Sequence, residues 1–572
     1  MSIPRRIPGA RAAPRHGVAP LALCALLGCS GAAQALHVSE FGAAPDDGKD
    51  DMAAISQAIQ AAIQRGEREV LFDPGTYNMA TACAIPGKSA GHYIGIFGAT
   101  NLALIGRVNG AGEPATRLER NHPLHNDARP FHHLVIERSS HITIKNLVLA
   151  NDPPFGSTGR VISVDRNSDV VVVEVLEGLP AYDGMRCASA HAWDLATGKL
   201  KRFGPTPTEA TLTIGLNITQ FWEAVPGTGA RRLRMAGKGF AAKVAAGDGI
   251  SWHHAAHECD NQTAVMYSRD VTFENVRFPN VTNMGMLAGY NRNLIFRRVA
   301  FRPEKGNLAV GGRDGMHLSM NSGRLLVEDC YFKGLRMDPL VIRKTFGLVK
   351  NIRADGGIIA KPAYEIPAGD KIRFWVGEEP QDRTVASCKS QGGGAYLYTF
   401  EQSIPPGAIV GTPLCYQTHA LEEGIIRRCV FEDSFGSPIV NFEENITVEG
   451  CVFSNNSYQI KYGPNQTTGA FVRNNVFRNN VCEDVPWVDI AHRGQPSAIV
   501  IHSLNRYFKA PMFNAGILIR GNVFKNPGGD PGCVAIDVRN ARDVEIRDNQ
   551  FIGFERRVWT DAATTRDVRF GE

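Results

Sequence analysis

Val271-Thr272-Phe273-Glu274-Asn275-Val276-Arg277-Phe278 sets a pattern: an alternating apolar strand, two polar residues, then an apolar residue and a closing phenylalanine. The phrase returns at residues 294–301, 325–332, 425–431, 446–453, 471–477, 517–524 and 544–551. The closing phenylalanines fall at 278, 301, 332, 431, 453, 477, 524 and 551, so most gaps are 22–31 residues. That is one turn of a parallel β-helix; the gap of 47 is two turns, and the gap of 99 is one turn plus an insertion. An antiparallel sandwich or barrel would show turn signals every ~8–12 residues instead.

A coil gives this phrase its physical sense. Strands of each turn pair with the turns above and below, about 4.8 Å away, and like side chains stack inward. Cys330, Cys429 and Cys451 each stand two residues before a phenylalanine and read as small buried hydrophobes in that stack. Asn275, Asn475, Asn522 and Asn549 are expected at corners, where asparagine tolerates left-handed backbone. Since one turn cannot bury its own apolar face, stacking is obligatory.

Ahead of the coil, an amphipathic helix runs through Ile55, Ile59 and Ile63, preceded by Asp46, Asp47, Asp50 and Asp51. It is expected to cap the first turn and hide an open sheet end. The aspartates read as a helix-start loop in preference to a calcium site. Two stretches of different texture interrupt the coil, with strands at Val170–Val175 and Thr211–Ile214 in the first and Lys371–Val376 and Ala395–Phe400 in the second. The expected fold is therefore all-β: a right-handed parallel β-helix with an N-terminal capping helix and two inserted small antiparallel β-barrel or sandwich domains. The boundaries read as signal peptide 1–35, first turns 36–154, first insert 155–262, central turns 263–347, second insert 348–423 and final turns 424–572.

The leader sets compartment and charge. Arg5, Arg6, Arg11 and Arg15 precede an apolar run from Val18 to Gly28 and a small-residue end at Ala33-Gln34-Ala35, a secretory pattern too short to span a bilayer. Leu26-Leu27-Gly28-Cys29 also fits a lipobox, so two outcomes stay open: a secreted or periplasmic protein, or an outer-membrane lipoprotein anchored at Cys29. No later segment is apolar enough to cross a membrane as a helix. Of 62 basic residues four leave with the leader, so 58 face 57 acidic ones. A near-neutral surface gives no general drive toward nucleic acid. Ten cysteines remain; Cys388 and Cys415 share one irregular segment and are placed to bridge.

The chemistry is expected where inserts meet coil, in Gly312-Arg313-Asp314-Gly315-Met316-His317 and Gly334-Leu335-Arg336-Met337-Asp338-Pro339. Asp314 and Asp338 are 24 residues apart, one turn, so they should stack on one wall with His317 beside them. Such a carboxylate pair can activate a water or stabilise an oxocarbenium ion, and one member should titrate high. The alternative, an aspartate ladder satisfied by backbone amides, weighs equally on spacing alone.

Asp-Gly-x-His at 314–317, the Glu328-Asp329-Cys330-x-Phe332-x-Gly334 phrase and Asp338 together resemble glycoside hydrolase family 110, within the pectate-lyase-like β-helix superfamily. The resemblance covers most of the mature chain. It implies a parallel β-helix with two inserted barrels and an exported, exo-acting hydrolase of terminal α-1,3-linked galactose. It further implies that this enzyme works with inversion and without metal or cofactor. Carried over by position, Asp314 and Asp338 would handle the attacking water. The chain departs from the family at Met337, where a second aspartate normally precedes the equivalent of Asp338; Glu443 or Glu444 then becomes the candidate general acid. Asn283, Arg313, Arg343 and Lys344 are the candidate substrate-binding residues, the last two suited to an anionic sugar. The partner is an oligosaccharide or polysaccharide.

Other constellations are weaker. His253, His254, His257 and Glu258 read as a pocket rim in preference to a metal site. Trp193, Trp222, Trp252, Trp375 and Trp487 suit sugar stacking or core packing. A Walker-type loop is absent from the sequence. Two other functions remain: a non-catalytic carbohydrate-binding β-helix, favoured by Met337, and a polysaccharide lyase working through a Lys, Arg, His or Tyr base.

Overall fold

The computed structural model describes residues 35–571 except 85–90, 125–130, 204–210, 213–219, 255–259, 305, 345, 362–363, 465–469, 489–495, 504–511 and 530. Leader residues 1–34, with Cys29, and the pair His257 and Glu258 lie outside the described residues. The chain winds as a right-handed parallel β-helix, the hand that parallel crossovers of twisted strands favour. Two long sheets form its walls, one of 22 strands and one of 12 among the described residues. Arg269–Phe278, for example, pairs in parallel with Ser140–Asp152 below and Arg292–Arg297 above.

Aromatic stacking runs up the interior. Rings of Phe278 and Phe301 lie 4.7 Å apart, Phe301 and Phe332 5.5 Å, Phe332 and Phe431 4.8 Å, and Phe431 and Phe453 5.1 Å, all within 10° of parallel. The next rung corrects the sequence reading. Phe453 is in register with Cys482, not Phe477, and Cys482 with Phe524, so the stretch expected to hold two turns is a single turn of 42 residues. Phe477 belongs to the neighbouring row, between Val448 and Ile519. A misplaced phenylalanine keeps the apolar pattern intact, which is why the phrase alone could not reveal the shift.

The corner asparagines also need correcting. Asn275 is left-handed, but the other left-handed residues are Asn474, Gly521 and Asp548, each one position before the asparagine expected there. Asn475, Asn522 and Asn549 instead accept backbone N–H groups of the turn below: Ile446 N to Asn475 at 2.7 Å, Asn480 N to Asn522 at 2.9 Å and Asn522 N to Asn549 at 3.0 Å. They work as an internal ladder that satisfies corner amides. Cys388 and Cys415 are free thiols; Cys415 is buried and accepts from the Trp375 indole N–H at 3.2 Å.

Met52–Arg65 caps the coil, burying Met52, Ile55, Ala58, Ile59 and Ala62, and ends at Gly66, whose φ of 70° is left-handed. The preceding aspartates are occupied by backbone amides: Asp46 by Thr76, Asp50 by Ala80, Asp51 by Ala44 and Asn78. The first insert is an antiparallel sheet from Gly156–Asp165 to Gly249–His253, packed around Trp222 and Trp252. The second is a closed six-stranded barrel from Phe346–Ile352 to Pro413–Tyr416.

Candidate active site

The 12-stranded wall carries the site. Met316–Ser319 pairs with Met286–Gly289 on one side and Leu340–Arg343 on the other. Met316, Leu318, Leu340 and Ile342 enter the core. Side chains alternate along a strand, so His317 and Arg343 face outward. Asp314 and Asp338 sit just before these strands at equivalent places in adjacent turns. The amide of Gly285 donates to the Asp314 carbonyl and that of Gly315 to the Asp338 carbonyl, both at 3.0 Å.

Their carboxyls are held differently. His317 Nδ1 lies 2.7 Å from Asp314 Oδ2, and both side chains are buried. Burial works to raise Asp314, but the His317 hydrogen bond, with Arg313 nearby, holds it below the ordinary aspartate value. Burial lowers His317 in spite of Asp314, so the ring is neutral near pH 7 and donates from Nδ1. Asp314 Oδ1 and His317 Nε2 have no hydrogen-bond partner among the described residues. Two buried acceptors without donors on one wall suit a bound hydroxyl or water.

Asp338 goes the other way. Burial, and next the charge of Asp314, lift it to about 7. Its Oδ1 accepts from the Ser437 amide of the following turn at 2.8 Å, a bond that works against the rise. Asp338 keeps partial exposure, and Met337 beside it is 39% exposed. Asn283, Arg313 and Met337 precede Met284, Asp314 and Asp338 in three successive turns; Arg313 acts on both carboxyls. Arg343 Nε donates to Ser319 Oγ at 2.9 Å, and its charge is felt by His317.

Glu443 and Glu444 are not brought to this pair. Lys344, one residue beyond the Leu340–Arg343 strand, lies 3.3 Å from Glu443 and 3.8 Å from Glu444, while the barrel's Arg373 takes Glu444. That buried group sits at the coil–barrel junction, six residues or about 20 Å along the chain from Asp338 at ~3.3 Å per residue. Burial, opposed by Lys344, leaves Glu443 at about 7; in spite of its own burial Lys344 is raised by the two glutamates and stays charged. Lys344 is therefore a junction residue and does not line the wall with Arg343. The tryptophans also pack instead of facing sugar: Trp193, Trp222, Trp252, Trp375 and Trp487 are all buried, as are His253 and His254.

Two residues of the wall escaped the sequence reading. Lys461 lies between the core residues Ile460 and Tyr462, so it faces outward, in register with Val440 and, one turn below, Val341. Burial lowers it to about 7, with Asp338 opposing. Tyr458 is raised by burial and then by Asp338; it packs edge-on to Phe435 at 5.5 Å, which in turn meets His191 of the first insert at 4.2 Å. The signal for Lys461 was its offset: the outward valines follow Phe332 and Phe431 by nine residues, and Lys461 follows Phe453 by eight.

No protein-family model matches the chain. It is 24% identical over 288 residues to α-1,3-galactosidase A of Bacteroides fragilis, 46% of each protein. It is 23% identical over 492 residues to α-1,3-galactosidase B of Bacteroides thetaiotaomicron, 80% of this chain and 78% of the relative. The first alignment thus spans about half the length of that relative. Among solved structures, the mannuronan C-5 epimerase A-module of Azotobacter vinelandii aligns over 93% of this chain and 99% of its own at 10% identity and a TM-score of 0.38. The family 28 exopolygalacturonase of Yersinia enterocolitica aligns over 94% of this chain and 79% of its own, at 14% identity and 0.38. The sequence relatives fit the resemblance to glycoside hydrolase family 110 that the Asp314–Asp338 segment carries.

Proposed function

We propose that the protein is an exported, exo-acting glycoside hydrolase that removes terminal α-galactosyl residues with inversion. The observation that carries this reading is the split pair: Asp314 ionised beside His317, Asp338 holding its proton to about 7, at equivalent places in adjacent turns. Carboxyls pushed apart in this way take the roles of base and acid. In the proposed reaction Asp314 Oδ1 takes a proton from water as its oxygen bonds to the anomeric carbon. The glycosidic C–O bond breaks on the opposite face, and Asp338 gives its proton to the leaving oxygen. His317 holds Asp314 in place and offers Nε2 to a sugar hydroxyl. The names of the relatives support α-1,3-galactosides as first substrates.

The test is release of galactose from α-1,3-galactosyl oligosaccharides, followed by proton NMR for wild type and Asp338→Asn. β-Galactose appearing first, with turnover in the variant down by about 10²–10⁴, supports inversion by this pair. An unsaturated product means a lyase. Glycan binding without any release means a binding module, the reading that Met337 favours.

A further inference from the structure

Resting on that reading of the site, we propose that the departing sugar is held by the Tyr458 hydroxyl, in a subsite that runs up the coil from Asp338 on the side away from Asp314. Asp314, Asp338, Ser437 and Tyr458 stand two residues before Met316, Leu340, Ile439 and Ile460, which follow one another in register up the wall. Tyr458 N donates to the Gly436 carbonyl at 3.4 Å, in keeping with that register. The four residues thus occupy one place in four successive turns, and their order gives the bound glycan a direction. In an inverting displacement the water and the leaving oxygen lie on opposite faces of the anomeric carbon. With the water at Asp314 and the leaving oxygen at Asp338, the sugar behind that oxygen lies over the next members of the row.

Asp338 and Tyr458 are part-exposed, while Ser437 between them is 1% exposed, so beyond Asp314 the row presents a carboxyl and a phenol to solvent. They stand two turns apart, roughly 10 Å at about 4.8 Å per turn, which leaves room for one sugar ring. Among the described residues the Tyr458 hydroxyl makes no hydrogen bond. Its ring is held from the other side, edge-on to Phe435 at 5.5 Å, with His191 of the first insert 4.2 Å from Phe435. The insert is pinned to the same two turns: Leu200 N donates to Asp433 Oδ1 at 3.1 Å, and Asn455 Nδ2 to the Leu200 carbonyl at 3.0 Å. Phenylalanine would serve that packing equally well, so packing leaves the hydroxyl unexplained. A phenol both donates and accepts, which suits the hydroxyls of a neutral sugar.

Initial rates of the full-length protein on galactosyl-α-1,3-galactose and on α-galactosyl fluoride test this, because the fluoride carries no sugar on its leaving side. Tyr458→Phe keeps the ring against Phe435. In that variant the ratio of kcat/KM for the disaccharide to that for the fluoride should fall about tenfold, the effect of one hydrogen bond lost from the transition state. A ratio within about twofold of wild type overturns the proposal, and so does a parallel loss on both substrates, the mark of a packing role. Where the ratio holds while β-galactose is still released, the subsite falls and the hydrolase stands. If wild type hydrolyses neither substrate, titration calorimetry with the disaccharide and with galactose decides. Disaccharide binding about tenfold tighter than galactose, with the margin lost in Tyr458→Phe, refutes the hydrolase and leaves the subsite standing. Equal affinities, or a margin that survives the variant, refute the subsite as well.

Discussion

Replacing Asp338 by asparagine removes a charge that the fold accommodates badly. An ordinary aspartate ionises near 3.8, and this one near 7. At about 1.4 kcal/mol per tenfold of proton affinity, the ionised group is about 4 kcal/mol worse off in the folded than in the unfolded chain. The sign follows from proton uptake. Between about pH 4 and 7 the folded protein holds a proton that the unfolded chain has lost, so stability falls as pH rises through that window, and the whole cost stands above it. Asparagine keeps the shape, and its Oδ1 can still accept from Ser437. Near pH 8.5, where Lys461, lowered to about 7, carries little charge, the expected gain is about 4 kcal/mol, and near pH 4 it is about nothing. The assay is thermal denaturation of both proteins across that range, with kcat/KM in parallel. The variant should melt progressively higher than wild type as pH rises, and wild-type kcat/KM should fall tenfold per pH unit above about 7 as the acid loses its proton. A melting difference that stays flat with pH, or grows in the opposite sense, refutes the assignment of the raised carboxyl to Asp338.

Three further expectations concern other parts of the molecule. Phe332→Ala empties a fully buried rung between two parallel rings and should lower stability by about 3–5 kcal/mol in denaturant unfolding; a loss under ~1 kcal/mol would mean that the ladder is not a main support. Glu443→Gln alters the coil–barrel junction and should leave kcat/KM within about threefold, whereas a hundredfold loss would return Glu443 to the role of acid. Mature protein recovered from a bacterial host should begin at Leu36 after release, or at a lipid-modified Cys29 that Cys29→Ala abolishes; retention of the uncleaved leader would defeat both proposals.

How far the sequence could be read depended on which interactions were local. The coil was legible because its signal repeats: an apolar phenylalanine closes turn after turn, even though single turns run from 22 residues, Phe431 to Phe453, to 42, Cys482 to Phe524. Within that frame, single rungs were not legible. Cys482 and Phe477 are both apolar and five residues apart, so only register tells which one stacks on Phe453. The corner asparagines failed for a related reason. Asparagine suits both a left-handed corner and an amide-satisfying ladder, and at 474–475 two stand together with one task each.

The site divides along the same line. Asp314 and Asp338 were found because one uninterrupted turn separates them, and His317 because it stands three residues from Asp314 on the strand that follows it. What lifts Asp338 above Asp314 is burial and the charge of Asp314 itself, while its long-range partners Ser437 and Lys461 draw it down. The amide that Asp338 accepts comes from Ser437, 99 residues on, because the barrel is inserted between one turn and the next. Lys461 comes one turn later still, and in the chain it is only a lysine in a strand of unremarkable length. Ser437 still stands six residues after Phe431, as Asp338 does after Phe332, so the barrel leaves the offset within the turn intact. A carboxylate ladder satisfied by its own backbone would treat both members alike. The unequal partners of Asp314 and Asp338 are the physical reason for preferring chemistry over structure at this wall.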